Sequence, residues 1–145
     1  MSVVTTQLDG GVRESNDHVA GSTLMAADKK TFNAGDEIRV TVSGKALHYV
    51  NGLSFALPYD ATVQGYEGVE LKNMKNMMNL TYDRLHTNGQ KALYPTFVNC
   101  GNDFLLDEGD TELFVIKFRA KKNGKFNLKM QDGLLIDRNL GTVAF

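Results

Sequence analysis

Apolar and polar residues alternate through residues 32–60, and later segments repeat that period. In IRVTVS, Ile38, Val40 and Val42 alternate with Arg39, Thr41 and Ser43, the period-two mark of a strand with one buried face. In LSFALPY, Leu53, Phe55 and Leu57 alternate with Ser54 and Ala56 until Pro58 ends the run. Residues 22–27 read as a first strand, followed by a turn at Asn33-Ala34-Gly35-Asp36. Asn51-Gly52 predicts a tight turn before LSFALPY, because the pair favours positive φ. One short strand is expected within 61–71. In 71–80, Leu71, Met74 and Met78 have helix-like spacing, but Asn73, Asn76 and Asn79 and the lack of a cap predict a loop or a single helical turn. Residues 80–85 and 91–98 flank HTNGQ, whose Asn88-Gly89 is a hairpin signal. In 113–120, Phe114, Ile116, Phe118 and Ala120 fall on one face and Leu113, Val115, Lys117 and Arg119 on the other. Asn123-Gly124 then turns the chain into KFNLKM, with Phe126, Leu128 and Met130 inward, and Asp132-Gly133 precedes a closing strand. About eight or nine short strands between turn signals predict an all-β, two-sheet antiparallel β-sandwich of jelly-roll type.

Composition adds bounds. The 145 residues suit one domain, large enough to bury about two-thirds of its unfolded surface. Residues 1–21 are polar and Gly-rich and read as a linker or flexible N-terminal segment with a short strand at 3–7, leaving 22–145 as the module. The formal net charge of −1 argues against a binder that tracks nucleic-acid phosphates. The basic run RAKKNGK reads as a solvated strand end and turn. Cys100 is the only cysteine, which excludes an intrachain disulfide. The first residues carry no basic start followed by an apolar run, and no segment approaches the length of a membrane span.

The search for catalytic chemistry is barren. His18, His48 and His86 are isolated, none in an i,i+4 pair, and no nucleophile elbow, phosphate loop or dinucleotide fingerprint occurs. Cys100 has no histidine near it in sequence and reads as a half-buried thiol beside a turn. Asp103, Asp107, Glu108, Asp110 and Glu112 carry the oxygens that calcium takes, but not the spaced Asp/Asn, Gly and Glu of a calcium loop. A solvated loop is expected at 103–112, with calcium bound there as the weaker alternative, and no other cofactor. Asn79-Leu80-Thr81 matches a glycosylation sequon, a pattern frequent by chance. Aromatic placement says more. Tyr82 and Tyr94 lie in the polar hairpin with Arg84 and Thr96, the mixture typical of a recognition patch. An ordinary solvated sheet face is the plain alternative.

The order AGDEIRVTVSG, NGLSFALPYDATVQGYEGVEL and ELFVIKFRAKKNGKFNLKMQDGLLIDRN resembles the cohesin-like family, over about residues 22–145. The matching pieces are a Gly-Asp turn before the first long strand, a strand ending in Tyr-Asp, and a Phe-rich strand followed by a Gly turn and an Asp-Gly closing strand. The middle section, NLTYDRLHTNGQKALYPTFVNCGN, is less like scaffold cohesins and closer to cohesin-like modules appended to glycosidases of gut bacteria. The resemblance implies a cohesin/immunoglobulin-like sandwich and a non-catalytic accessory module of a secreted bacterial glycoside hydrolase. The module would lie outside the cell, at its surface or in the periplasm, linked covalently to a catalytic domain. It further implies a binding sheet made of LSFALPY, TYDRL, LYPTF and FVIKFRA. By alternation its outer face would carry Ser54, Ala56, Tyr82, Arg84, Tyr94, Thr96, Lys117 and Arg119, and a one-residue slip would invert that set. A dockerin-like protein module is the expected partner. Direct contact with carbohydrate, or a purely structural spacer, are the alternatives.

Overall fold

The computed structural model describes residues 4–7, 22–45, 48–74, 77–85, 90–100, 105–106, 110–137 and 142–144. These form β1 (Val4–Gln7), β2 (Ser22–Ala27), β3 (Thr31–Phe32), β4 (Glu37–Lys45), β5 (His48–Tyr59), β6 (Gln64–Leu71), β7 (Met77–Asn79) and β8 (Tyr82–Leu85). The chain continues through β9 (Lys91–Tyr94), β10 (Thr96–Asn99), β11 (Leu105–Leu106), β12 (Asp110–Ala120), β13 (Gly124–Lys125), β14 (Gln131–Asp137) and β15 (Thr142–Ala144). Among the described residues no helix is long and apolar enough to cross a membrane.

The strands build an all-β sandwich. One layer has the order β1-β2-β4-β12-β6. The other has the order β15-β14-β5-β10-β7, with β9 and β11 also on β5 and β8 on β9. A short β13-β3 ribbon stands beside them. The period-two runs explain the layering. Ile38, Val40 and Val42 of β4 and Phe114, Ile116 and Phe118 of β12 are fully buried, and they meet Leu53, Phe55 and Leu57 of β5. Phe114 joins the two layers, its ring 4.5 Å from Phe97 and 6.2 Å from Phe55, while Tyr59 meets Phe118 edge-on at 5.2 Å. Each such side chain contributes about 1.5–3 kcal/mol by leaving water.

The turn at Asn33–Asp36 forms as expected. Asp36 donates its backbone N–H to the Asn33 carbonyl, Asn33 returns one to the Asp36 carboxylate, and Gly35 takes φ 94°. Phe126 and Leu128 are buried and Met130 packs against the core, although 126–130 lies outside any sheet.

Several expectations are corrected. Asn51-Gly52 is no turn: both residues lie inside β5, where Gly52 pairs with Val98 on one side and Ile136 on the other. Two flanking ladders outweigh the local preference of the pair. Pro58 likewise lies within β5, opposite Ala92. The single strand expected at 91–98 is two, because Pro95 cannot donate to a ladder; its carbonyl instead accepts the Phe55 N–H. In place of the loop or single helical turn expected within 71–80, residues 77–79 form the strand β7, and the Met77 N–H reaches the Met74 carbonyl. Asp132 and Gly133 do not precede β14 but lie within it. Leu113 and Val115, both assigned to the outer face, are nevertheless buried: the register of β12 shifts between Glu112 and Phe114 and Leu113 joins the core, while Val115 stands mid-layer between Thr41 and Glu70. The sandwich therefore has more strands than eight or nine, several of them only two to four residues long. Residues 4–7 pair with β2, in line with the short strand expected there, while the rest of 1–21, the Asn88-Gly89 turn, His86 and Asp103, Asp107 and Glu108 lie outside the described residues.

Candidate recognition face

The inward side chains of β5, β9 and β10 are Leu53, Phe55, Leu57, Leu93 and Phe97, all in the core. Their neighbours along each strand must therefore point outward, onto one face of the larger sheet. The register sorts these outward residues into rows. Met78, Val98, Gly52 and Ile136 stand across from one another. The next row runs through Thr96, Ser54 and Leu134, with Leu80 tied to it by its N–H on the Thr96 carbonyl at 2.8 Å. Tyr82 faces Tyr94 in the third row, and Arg84 faces Ala92 and then Pro58 in the fourth.

Ser54, Ala56, Tyr82, Arg84, Tyr94 and Thr96 thus share one face, in the orientation alternation predicts. Tyr82 and Tyr94 form a stacked pair with centroids 4.9 Å apart and planes 15° from parallel. Such a pair contributes about 0.5–1.5 kcal/mol beyond its burial and stiffens both rings. Arg84 is exposed, with no ion-pair partner among the described residues.

The structure does not bring Lys117 and Arg119 to this face. Their strand, β12, pairs with β4 and β6 in the opposite layer, so they point out of the other side of the sandwich. Alternation shows which side of a strand is buried, but not which sheet the strand joins. There the two side chains belong to a charge ladder. Lys117 lies 3.3 Å from Glu70, which also holds Lys72 and Arg39; Arg119 reaches Glu67 and Glu37 and donates to the Gly35 carbonyl. Hydrogen bonds from Lys72 and Lys117 hold the Glu70 carboxyl down at about 2.

Sequence reasoning named Tyr82 but missed Met78, Leu80 and Val98, the apolar residues around it. Of the five exposed large apolar side chains among the described residues, four lie here: Met78 (50%), Leu80 (47%), Tyr82 (49%) and Val98 (39%). The available signal was the alternation of Met78 and Leu80 with Asn79, obscured by the Asn-rich context and the short strand.

The face is anchored from below. Asp83 alternates inward from Tyr82 and Arg84, and the Tyr59 hydroxyl donates to its carboxylate, whose two oxygens lie 2.8 and 2.9 Å away. Lys91 pairs with the same group at 3.3 Å. Burial, and then Asp83 itself, push the Tyr59 phenol far above its ordinary range, so it stays a donor. Burial also raises Tyr66, with Asp83 adding to it. Cys100 is exposed, not half-buried as expected, and no group of His, Cys, Asp or Glu that could hold a metal ion occurs among the described residues.

No protein-family model matches the sequence, and no curated protein does. Solved structures do match in fold. A cohesin module from a Clostridium perfringens family 33 glycoside hydrolase superposes with TM-score 0.62 at 12% identity, covering 88% of this chain and 90% of its own. A type II cohesin from Bacteroides cellulosolvens gives 0.61 at 12% identity, covering 81% and 88%. The sixth cohesin of Acetivibrio cellulolyticus scaffoldin B, solved in complex with a Cel5 dockerin, gives 0.55 at 15% identity, covering 77% and 84%. The chain has the cohesin fold.

Proposed function

We propose that this chain is a non-catalytic docking module that binds a dockerin-like protein partner through the outer face of β5 and β7–β10. The observation that carries the reading is the cluster of Met78, Leu80, Tyr82 and Val98, exposed together on one sheet face beside Arg84. An apolar patch kept in water by a folded sheet lowers the free energy of association when it is covered. Stacked tyrosines and an arginine supply the rigid anchors that dominate such interfaces. The cohesin fold supports the reading, since one structure sharing it was solved with a dockerin bound. That another comes from a glycoside hydrolase supports a finer one: an accessory module of a secreted bacterial carbohydrate-active enzyme, linked to a catalytic domain and acting outside the cell, at its surface or in the periplasm.

Binding of purified dockerin modules to the immobilised chain tests this. Tyr82→Ala and Arg84→Ala, together, should weaken the complex about 30-fold or more, the range of interface anchors. Met78→Lys should do the same by placing a charge in the apolar row. If both variants fold and bind as the wild type does, the partner uses another surface.

A further inference from the structure

Towards its other end the same face becomes concave. Ala56, Pro58 and Ala92 present small side chains there, and the space above them amounts to about 260 Å³. Tyr94 forms one wall, its ring backed by Tyr82. Gln90 and Gln131 stand at the rim with Asp132.

Asp132 is there because β14 is bulged. Between the pairs Leu134–Ser54 and Gln131–Ala56, β14 takes three steps while β5 takes two. Asp132 takes φ 52°, the single positive-φ non-glycine among the described residues. Asp tolerates that conformation, but a regular strand has no use for it. Bulges of this kind re-aim a side chain, and they recur beside binding sites.

We propose that this concavity is a subsite for one pyranose ring of a neutral glycan. A sugar needs an aromatic wall for its C–H face and a rim offering both donors and acceptors to its hydroxyls. Tyr94 supplies the first, and two carboxamides and a carboxylate supply the second. The volume falls below the range of about 300–1,000 Å³ typical of drug-sized ligands and suits a single ring. Among the lining residues nothing selects an anion: the Lys91 ammonium is paired with Asp83 at 3.3 Å and Asp132 repels negative charge, while Arg84, across from Ala92 on the same face, does not line the space. The subsite adjoins the docking anchors, since Tyr82 backs Tyr94 and Arg84 faces Ala92, but its own sugar contacts are Tyr94, Gln90, Gln131 and Asp132 and need no protein partner.

The test is a ¹⁵N–¹H NMR titration of the whole chain with glucose, galactose, mannose and N-acetylglucosamine, and with galacturonate as the anionic control. At least one neutral sugar should shift the amides of Ala92, Tyr94, Gln131 and Asp132 saturably, with a Kd of about 1–10 mM expected for so small a ligand. Tyr94→Ala should weaken that sugar about tenfold while Tyr94→Phe stays close to wild type. Asp132→Asn, which keeps the backbone conformation, should weaken it about threefold or more through the lost charged acceptor. Met78→Lys should leave the titration unchanged, separating this site from the docking rows. Absence of saturable shifts with all four sugars, shifts centred elsewhere, tighter binding of galacturonate, or wild-type affinity in a folded Asp132→Asn would overturn the proposal.

Discussion

Glycine serves opposite purposes at Gly35 and Gly52, and the difference is measurable. Gly35 takes φ 94°, a conformation closed to ordinary L residues, and its N–H reaches the Ala120 carbonyl. Gly52 lies in extended chain at the centre of β5, where an added Cβ would meet Ile136 Cδ1 at 3.4 Å and the Phe97 carbonyl oxygen at 3.5 Å, close to ordinary contact. Gly35→Ala should therefore cost about 1–2 kcal/mol in chemical unfolding. Gly52→Ala should change stability by less than about 0.5 kcal/mol, since reduced unfolded-state freedom offsets slight crowding. A large loss at Gly52 would mean that Asn51-Gly52 behaves as the turn its sequence suggests.

Among the elements, the hairpin arm of β8 and β9 depends most on a few contacts. Of the described strands β8 pairs only with β9, so its other edge is open, and β9 meets β5 over three residues. Beyond this ladder, the arm is tied down by the Tyr59 hydroxyl on Asp83. Tyr59→Phe should cost about 1.5–3 kcal/mol, the range for a hydrogen bond to a charged acceptor. Hydrogen exchange should rise first in residues 82–85 and 91–94, before the β4–β12 ladder opens. The raised Tyr59 phenol means that its contribution is full below its ordinary value of 10.0 and is lost as pH rises through the higher folded value. The arm also marks how far the sequence can be read. Alternation placed Tyr82, Arg84 and Tyr94 on one face because each strand's period is a local property. It could not assign Lys117 and Arg119 to a layer, since β12 would alternate identically in either sheet. Nor could it find Met78 and Leu80, whose exposure depends on a three-residue strand pairing with β10 some twenty positions along the chain.

At the scale of the whole molecule the two outer faces have opposite chemistry, and that contrast separates stability from recognition. One face is apolar and open. The other neutralises itself through Glu37, Arg39, Glu67, Glu70, Lys72, Lys117 and Arg119. Glu70 is its hub, with Lys72 at 2.6 Å, Lys117 at 3.3 Å and Arg39 at 3.4 Å. Its carboxyl is lowered from 4.5 to about 2 by Lys72 and Lys117, so the folded state favours the charged form. The stability this brings is fully present above the ordinary value of 4.5 and is lost as pH falls through about 2. Glu70→Gln should therefore lower the thermal midpoint at pH 7, and the gap to wild type should close as acid is added, over that window and not near neutrality. High salt should narrow the gap as well, because the ladder is half-exposed. Partner capture through the apolar rows should be unaffected by Glu70→Gln, since the ladder lies across the full thickness of the sandwich from Met78 and Tyr82. A variant that unfolds more easily yet binds as well would assign the charges to the scaffold. One that keeps its stability and loses its partner would move the docking surface to the charged face.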